Sequence, residues 1–200
     1  MSELKLFNRW SFQGVEVKDL GLKPYINLQP MVIPKTGGRY SKRQFYKSKM
    51  NIVERLVNKL MVPGHKSKKH LLTSGLCTGK TQTIFNLVKD VFEKLEKKTN
   101  TNPIEILVRA LENAALREEI TSYQMGGIMV RKAVITSPQR RIDAALSVIV
   151  QSAYRKSFGK KLSMADALFN EILYAYQNDA SKSEAIKEKE RIEREAGGAR

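Results

Sequence analysis

The chain predicts a mainly α-helical, bundle-like domain of about six helices, with one protruding β-hairpin and an extended basic N-terminal arm. Three observations predict this. From residue 51 onward, apolar residues recur every three or four positions in successive segments, the spacing of helices with one buried face. Near Gly126-Gly127 that rhythm gives way to two β-prone runs. Before residue 51, Pro24, Pro30 and Pro34 prevent a long helix, and the apolar residues are scattered, with a hint of alternation at Val15 and Val17. The expected organisation is an N-terminal extension over 1–50, a helical core over 51–178 with its hairpin at about 120–135, and a polar C-terminal helix and tail over 179–200.

The elements follow in order. Ile52, Val53, Leu56, Val57, Leu60 and Met61 form one apolar face, and Pro63-Gly64 stops that helix. Residues 80–97 repeat the pattern with Ile84, Phe85, Val88, Val91, Phe92 and Leu95. A third helix opens at Asn102-Pro103-Ile104-Glu105: Asn102 caps, Pro103 suits the first helical position, and Glu105 suits a capping box. Ile106, Leu107, Ala110, Leu111 and Ala114 then face the core. The hairpin comes next, because both glycines of Gly126-Gly127 tolerate positive φ. Such a hairpin is marginal alone, so it packs on the helices or projects toward a partner.

Ser137-Pro138 opens a fourth helix with Arg140 and Arg141 in its first turn, where the helix dipole disfavours cations. That placement implies a compensating anion, for which Asp143 is the local candidate. Ile142, Ala145, Leu146, Ile149 and Ala153 form its buried stripe. Ser163-Met164-Ala165-Asp166 starts a fifth helix with Leu168, Phe169, Ile172, Leu173 and Tyr176 inside. Residues 181–196 form a charged helix with few apolar residues, an exposed or partner-stabilised element, and Gly197-Gly198-Ala199-Arg200 is a loose tail.

Charge narrows the function. The 200 residues carry 36 Lys and Arg against 20 Asp and Glu, a net +16. Of that excess, +13 lies in the first 100 residues. Such asymmetry fits a polyanion partner, since each neutralised phosphate releases counterions, although charge alone does not separate nucleic acid from an anionic membrane. Arg39-Tyr40-Ser41-Lys42-Arg43-Gln44-Phe45-Tyr46-Lys47 interleaves cations with aromatics, which suits phosphates and exposed bases. The alternative is that Tyr40, Phe45 and Tyr46 pack on the core while the cations are solvated. No apolar run approaches a spanning helix, and no signal-peptide pattern opens the chain. Cys77 is the one cysteine, so an internal disulfide is excluded and a reducing, intracellular compartment is expected.

Enzyme signals do not hold up. Gly75-Leu76-Cys77-Thr78-Gly79-Lys80-Thr81 resembles a phosphate-binding loop, but it has three residues between its glycines where the motif needs four, and no buried strand precedes it. A turn leading into the helix at 80–97 explains it better. His65, His70 and Cys77 lack the closing pair of ligands a zinc site needs. Cys77 has no recognisable His–Asp/Asn setting for a nucleophile. No helix-turn-helix pair supports a DNA-binding reading. A binding protein is therefore expected, with no enzymatic activity, no cofactor, no metal and no small-molecule substrate.

An ordered series of motifs adds a resemblance. Val57-Asn58-Lys59-Leu60-Met61-Val62-Pro63-Gly64-His65-Lys66-Ser67 resembles the N-K-L-M-x-x-G-K-K-S signature of the small-subunit ribosomal protein seven family. Ala110-Leu111-Glu112-Asn113, Gln124-Met125-Gly126-Gly127, Ser137-Pro138-Gln139-Arg140-Arg141, Ala153-Tyr154-Arg155-Lys156 and Ser163-Met164-Ala165-Asp166 continue it in register, from about residue 50 to 177. The long N-terminal arm and polar C-terminal helix resemble the archaeal and eukaryotic branch. Pro63, His65 and the absence of an aromatic after the hairpin glycines depart from the usual pattern.

The resemblance implies a structural constituent of the small ribosomal subunit in the cytoplasm. It implies primary binding to the 3′ major domain of 16S-type rRNA, nucleation of head assembly, and a position near the exit (E) site, transfer RNA and the messenger RNA exit path. Small-subunit ribosomal proteins nine and eleven are the implied protein partners, and no membrane is involved. On this reading Lys42, Arg43, Lys47, Lys49, Lys66, Lys68, Lys69, Arg140, Arg141, Arg155, Lys156, Lys160 and Lys161 neutralise rRNA phosphates. The hairpin, with Gly126, Gly127, Arg131 and Lys132, faces messenger and transfer RNA.

Overall fold

A computed structural model describes residues 4–64 and 77–199. Six helices appear: α1 (Ile52–Leu60), α2 (Thr81–Thr99), α3 (Pro103–Ala114), α4 (Pro138–Ser157), α5 (Met164–Tyr176) and α6 (Glu184–Gly197). Between α3 and α4 lies the antiparallel pair β1 (Glu118–Met125) and β2 (Ile128–Ile135). The expected class is thus the observed one: mainly helical, with one hairpin among the described residues. No described helix is long and apolar enough to cross a membrane.

The central helix is α5, packed against α2, α3 and α4. Its apolar residues spread around more than one face, which is what burial on several sides requires, and Ala167, Leu168, Ile172, Leu173 and Ala175 are buried. Tyr176, expected inside, is instead exposed at the last turn. Two of the caps the sequence suggests form, whereas Ser137, expected to cap α4, makes no side-chain hydrogen bond to that helix. Asn102 Oδ1 accepts from Ile104 N at 3.0 Å, and Ser163 Oγ accepts from Asp166 N at 3.1 Å. In Ala110-Leu111-Glu112-Asn113, Asn113 Nδ2 donates to the carbonyls of Ala175 and Tyr176, both at 3.0 Å, closing the C-terminus of α5.

Residues 4–50 contain no α-helix, only short 3-10 turns at Lys23–Tyr25, Arg39–Ser41 and Tyr46–Lys49. They are laid over the helices, and Leu6, Trp10, Phe12, Leu22 and Ile26 are buried in the common core. Trp10 meets Phe92 of α2 edge-on at 5.6 Å. Arg9 pairs with Glu93 at 3.1 Å and with Glu96 at 2.8 Å. Three buried polar residues at the start of α1 hold the next stretch. Asn51 donates to the Gln29 carbonyl at 2.9 Å, Glu54 accepts from Thr36 N and Oγ1 at 2.8 and 2.7 Å, and Arg55 donates to the Tyr25 carbonyl at 3.1 Å. On α3, Glu112 accepts the backbone N–H groups of Lys18 and Asp19.

The charged C-terminal helix finds its partner within the chain. α6 packs on β1 and α4, with Ala185, Ile186 and Ala196 buried. The tail beyond it is not loose as far as Ala199, whose carbonyl accepts from Ala133 N on β2 at 3.3 Å.

Candidate nucleic-acid interface

From Lys35 to Met50 the chain carries six cations and no acid, and no Asp or Glu occurs between Asp19 and Glu54. Lys42, Arg43 and Lys49 are exposed there. Tyr46 gathers two of them. The Arg43 guanidinium lies 5.7 Å from its ring centroid, and the Lys49 ammonium lies 4.3 Å from it. Arg43 also donates to the Tyr46 hydroxyl at 3.2 Å. Phe45 projects into solvent beside them. Lys47 turns the other way and pairs with Asp143 of α4 at 2.9 Å, while Ser48 Oγ donates to Gln139 Oε1 at 3.4 Å. The basic stretch is therefore anchored to the first two turns of α4.

Asp143 is the hub of that anchor. It also accepts from the buried Arg55 at 3.0 Å. Lys59, half-buried, feels the charge of the same group through space, while Lys47 and Arg55 are the two cations paired with it. Burial pushes the Lys59 ammonium below its ordinary pKa; Lys47 and Arg55 push it the same way, and Asp143 opposes them. Lys59 lies inside the N-K-L-M motif, which marked the segment without singling out this side chain. For Asp143, burial raises the pKa, but the hydrogen bonds and charges of Lys47 and Arg55 outweigh it and hold the group below 3.8. A carboxylate depressed on folding stabilises fully above its unfolded value and loses that contribution as pH falls through the folded one. Asp143→Asn should therefore be less stable than wild type at neutral pH, with the gap closing as pH falls below about 4. Urea melts of both proteins across this range read the gap directly.

In the second half of the chain the candidate cations are mostly paired. Arg140 grips Glu119 of β1 with two bonds of 2.6 and 2.7 Å, yet stays 64% exposed. Arg141 is largely covered; it donates to Asp19 at 2.7 Å and to the Leu116 carbonyl at 2.8 Å. The anions that offset these two arginines at the start of α4 are thus Glu119 and Asp19, and the expected local partner Asp143 is engaged by Lys47 and Arg55. Arg155 pairs with Glu184 at 2.7 Å, and Lys156 with the buried Glu171 at 2.6 Å. Lys160 and Lys161, after α4, are exposed with no ion pair among the described residues. Lys66, Lys68 and Lys69, with His65 and His70, lie outside the described residues. So do Gly75 and Leu76 of the Gly75–Thr81 stretch, whose remaining residues form a turn entering α2.

The hairpin register pairs Met125 with Ile128, Tyr123 with Val130, Ser122 with Arg131 and Thr121 with Lys132. Gly126 and Gly127 take φ of 56° and 84°, the left-handed pair a two-residue hairpin turn requires. Residues 121–129 are all exposed, so the outer half stands clear of the helices. Its base is held by α6: Glu193 accepts from Arg117 N at 2.9 Å, and Arg131 shares a cleft with Ile120, Arg194, Glu195 and Ala199. Arg131 and Lys132 are both exposed, on opposite faces of the ribbon.

Among the described residues there is no cluster of three or more His, Cys, Asp or Glu able to hold a metal. Cys77 is buried, and burial pushes its thiol pKa up, away from the reactive thiolate. What the geometry offers is a rigid helical frame carrying exposed cations, aromatics and a projecting ribbon.

Comparison with known proteins gives that frame a family. A sequence model described as ribosomal protein S7p/S5e matches residues 22–200. The small ribosomal subunit protein uS7 of Nanoarchaeum equitans (strain Kin4-M) is 47% identical over 198 residues, covering 99% of this chain and 100% of the relative. Proteins of the same name from Methanothrix thermoacetophila and Methanococcus aeolicus are 42% and 43% identical, over 98% and 99% of this chain and the whole of each relative. With its motifs in order, its six helices and hairpin in place and the match running through nearly the whole chain, this protein belongs to the ribosomal protein S7p/S5e family.

Proposed function

We propose that the chain is a structural component of the small ribosomal subunit that binds rRNA through its 3′ major domain, nucleates the head and lies near the exit site. The observation that carries this reading is the separation of free from compensated charge. Lys42, Arg43 and Lys49 stand exposed in a stretch without acids, and Lys160 and Lys161 join them as cations without an ion pair among the described residues. These five meet phosphates directly. Lys47, Arg141 and Lys156 hold the frame on which they stand, and Arg140 and Arg155, each more than half exposed, keep donors available beyond their carboxylate partners. Lys66, Lys68 and Lys69 belong to the same proposed array.

A rigid cationic array recognises the shape of folded RNA more than its sequence. The exposed ribbon, with Arg131 and Lys132, reaches messenger or transfer RNA at the exit site. Small-subunit ribosomal proteins nine and eleven are the proposed neighbours, and translation in the cytoplasm is the setting. No catalytic step is assigned to the chain.

Filter binding across a salt series tests this. The ligands are a transcript of the rRNA 3′ major domain, an unrelated structured RNA of equal length and duplex DNA. Preference for the first, persisting as salt rises, is expected. The double variant Arg43→Gln/Lys49→Gln should weaken binding and flatten the salt dependence by about one unit of slope per lost phosphate contact. Equal affinity for all three ligands, collapsing together with salt, would leave a generic polycation or a DNA binder.

A further inference from the structure

We propose that Phe45 is a stacking site for an unpaired RNA base, with Lys42, Arg43 and Lys49 receiving the flanking phosphates; this rests on the reading of the chain as an rRNA binder. Phe45 is 65% exposed. A single exposed aromatic is ordinary. This one also takes φ of +64°, a left-handed conformation that a bulky side chain rarely adopts. Phe7 is the instructive comparison. It has φ of +50°, and its ring packs edge-on against Trp10 and Phe85 at 6.2 Å each. Packing offsets the strain there. At Phe45 no ring or cation covers the side chain among the described residues, so no aromatic packing of that kind offsets it. Strain retained at an exposed position points to a use outside the fold.

The surroundings select the partner. The neighbouring Tyr46 ring is already engaged by Arg43 and Lys49. Those two contacts leave Phe45 as the open aromatic face and hold two cations beside it. The backbone under it is fixed: Ser48 N donates to the Phe45 carbonyl at 3.1 Å, Lys47 is tied to Asp143, and Asn27 Nδ2 donates to the Lys49 carbonyl. Glu54, the next acid in the chain, is buried and committed to Thr36. An exposed aromatic next to a ring that gathers two cations, in a stretch whose sequence from Lys35 to Met50 holds no acid and with Asp143 already committed to Lys47 and Arg55, matches a base and its phosphates. It does not match an apolar protein pocket, which would gain nothing from the surrounding charge. The base must be unpaired, because the faces of a paired base are covered by its stacked neighbours.

The test is Phe45→Asn, since asparagine accepts the left-handed conformation and removes the ring. Its melting temperature should equal or exceed that of wild type. Its affinity for the 3′ major domain transcript should fall roughly tenfold, with the slope of affinity against salt unchanged, because no phosphate contact is lost. Phe45→Trp should keep wild-type affinity within about twofold, whereas Phe45→Leu should bind like Phe45→Asn. Chemical probing should show one nucleotide of the transcript losing protection in the asparagine and leucine variants and keeping it in wild type and the tryptophan variant. Unchanged affinity of Phe45→Asn overturns the stacking site, as does a leucine variant that binds as well as tryptophan. If wild type itself prefers none of the three nucleic acids, the parent reading fails and takes this one with it; wild-type preference with an indifferent Phe45 removes the stacking site alone.

Discussion

Glu171→Ala should lower the stability of the protein by about 3–5 kcal/mol, the range for breaking a buried charge pair from one side. The carboxylate is fully buried in the middle of α5 and accepts four hydrogen bonds. On one side are Ser152 Oγ at 2.9 Å and Lys156 Nζ at 2.6 Å, both from α4. On the other are Ser183 Oγ at 2.9 Å and Ala185 N at 3.0 Å, from the start of α6. One side chain therefore joins three helices. Removing it leaves the Lys156 ammonium without its partner and the first turn of α6 without its acceptor, besides a cavity. Glu171→Gln keeps the volume but turns an acceptor toward Lys156 into a donor, so it should fall between alanine and wild type. Chemical denaturation followed by circular dichroism measures the loss. Hydrogen exchange should show α6 opening first, because this carboxylate ties the first turn of α6 to α5 and α4. A loss under about 1 kcal/mol for the alanine variant would mean that the network does not bind the helices together.

Trp10→Ala should cost a comparable amount, about 3–5 kcal/mol for a buried tryptophan. Its ring sits against Phe92 and Phe7, with the Arg9 guanidinium 5.3 Å from its centroid. The residues around it have little secondary structure of their own, so side-chain burial is what keeps residues 4–50 on the helices. Part of the loss should appear as local detachment. Tryptic cleavage at Lys5, Arg9 and Lys18 should accelerate by an order of magnitude or more relative to cleavage at Lys89 and Lys94 of α2 and Arg109 of α3. Equal acceleration everywhere would mean that the segment and helices unfold as one unit. No acceleration would show that Trp10 does not hold the segment down. The outcome bears on RNA binding, because Lys42, Arg43 and Lys49 keep fixed positions only while this segment stays docked.

Helix content, the hairpin and the turn at Gly126-Gly127 were legible because their signals are local. Apolar spacing along α2 or α4 reports a buried face within a few turns, and Asn102 and Ser163 cap the residues immediately after them. The excess charge of the first half was equally plain, since it needs only counting. Three-dimensional pairing was not legible. Nothing along the chain marks the pairing of Arg141 with Asp19, 122 positions away. The pairs of Arg140 with Glu119 and of Lys156 with Glu171 are equally unmarked. Sequence spacing cannot reveal such partners, because an ion pair depends on distance in space and on the desolvation of both groups.

Asn51, Glu54 and Arg55 show the same division most clearly. By pattern they are polar residues at the start of an amphipathic helix; in the fold they are buried and hold a segment that begins some 20 to 30 residues earlier. The sequence by itself determined the helices, the hairpin, the family and the sign of the partner's charge. The tertiary structure alone decided which cations remain free for that partner, that residues 4–50 lie against the core, and that α6 and the tail through Ala199 brace the hairpin. Helices and turns are chosen by neighbours along the chain, whereas the fate of a charge is chosen by whatever the fold brings within about 3 Å of it.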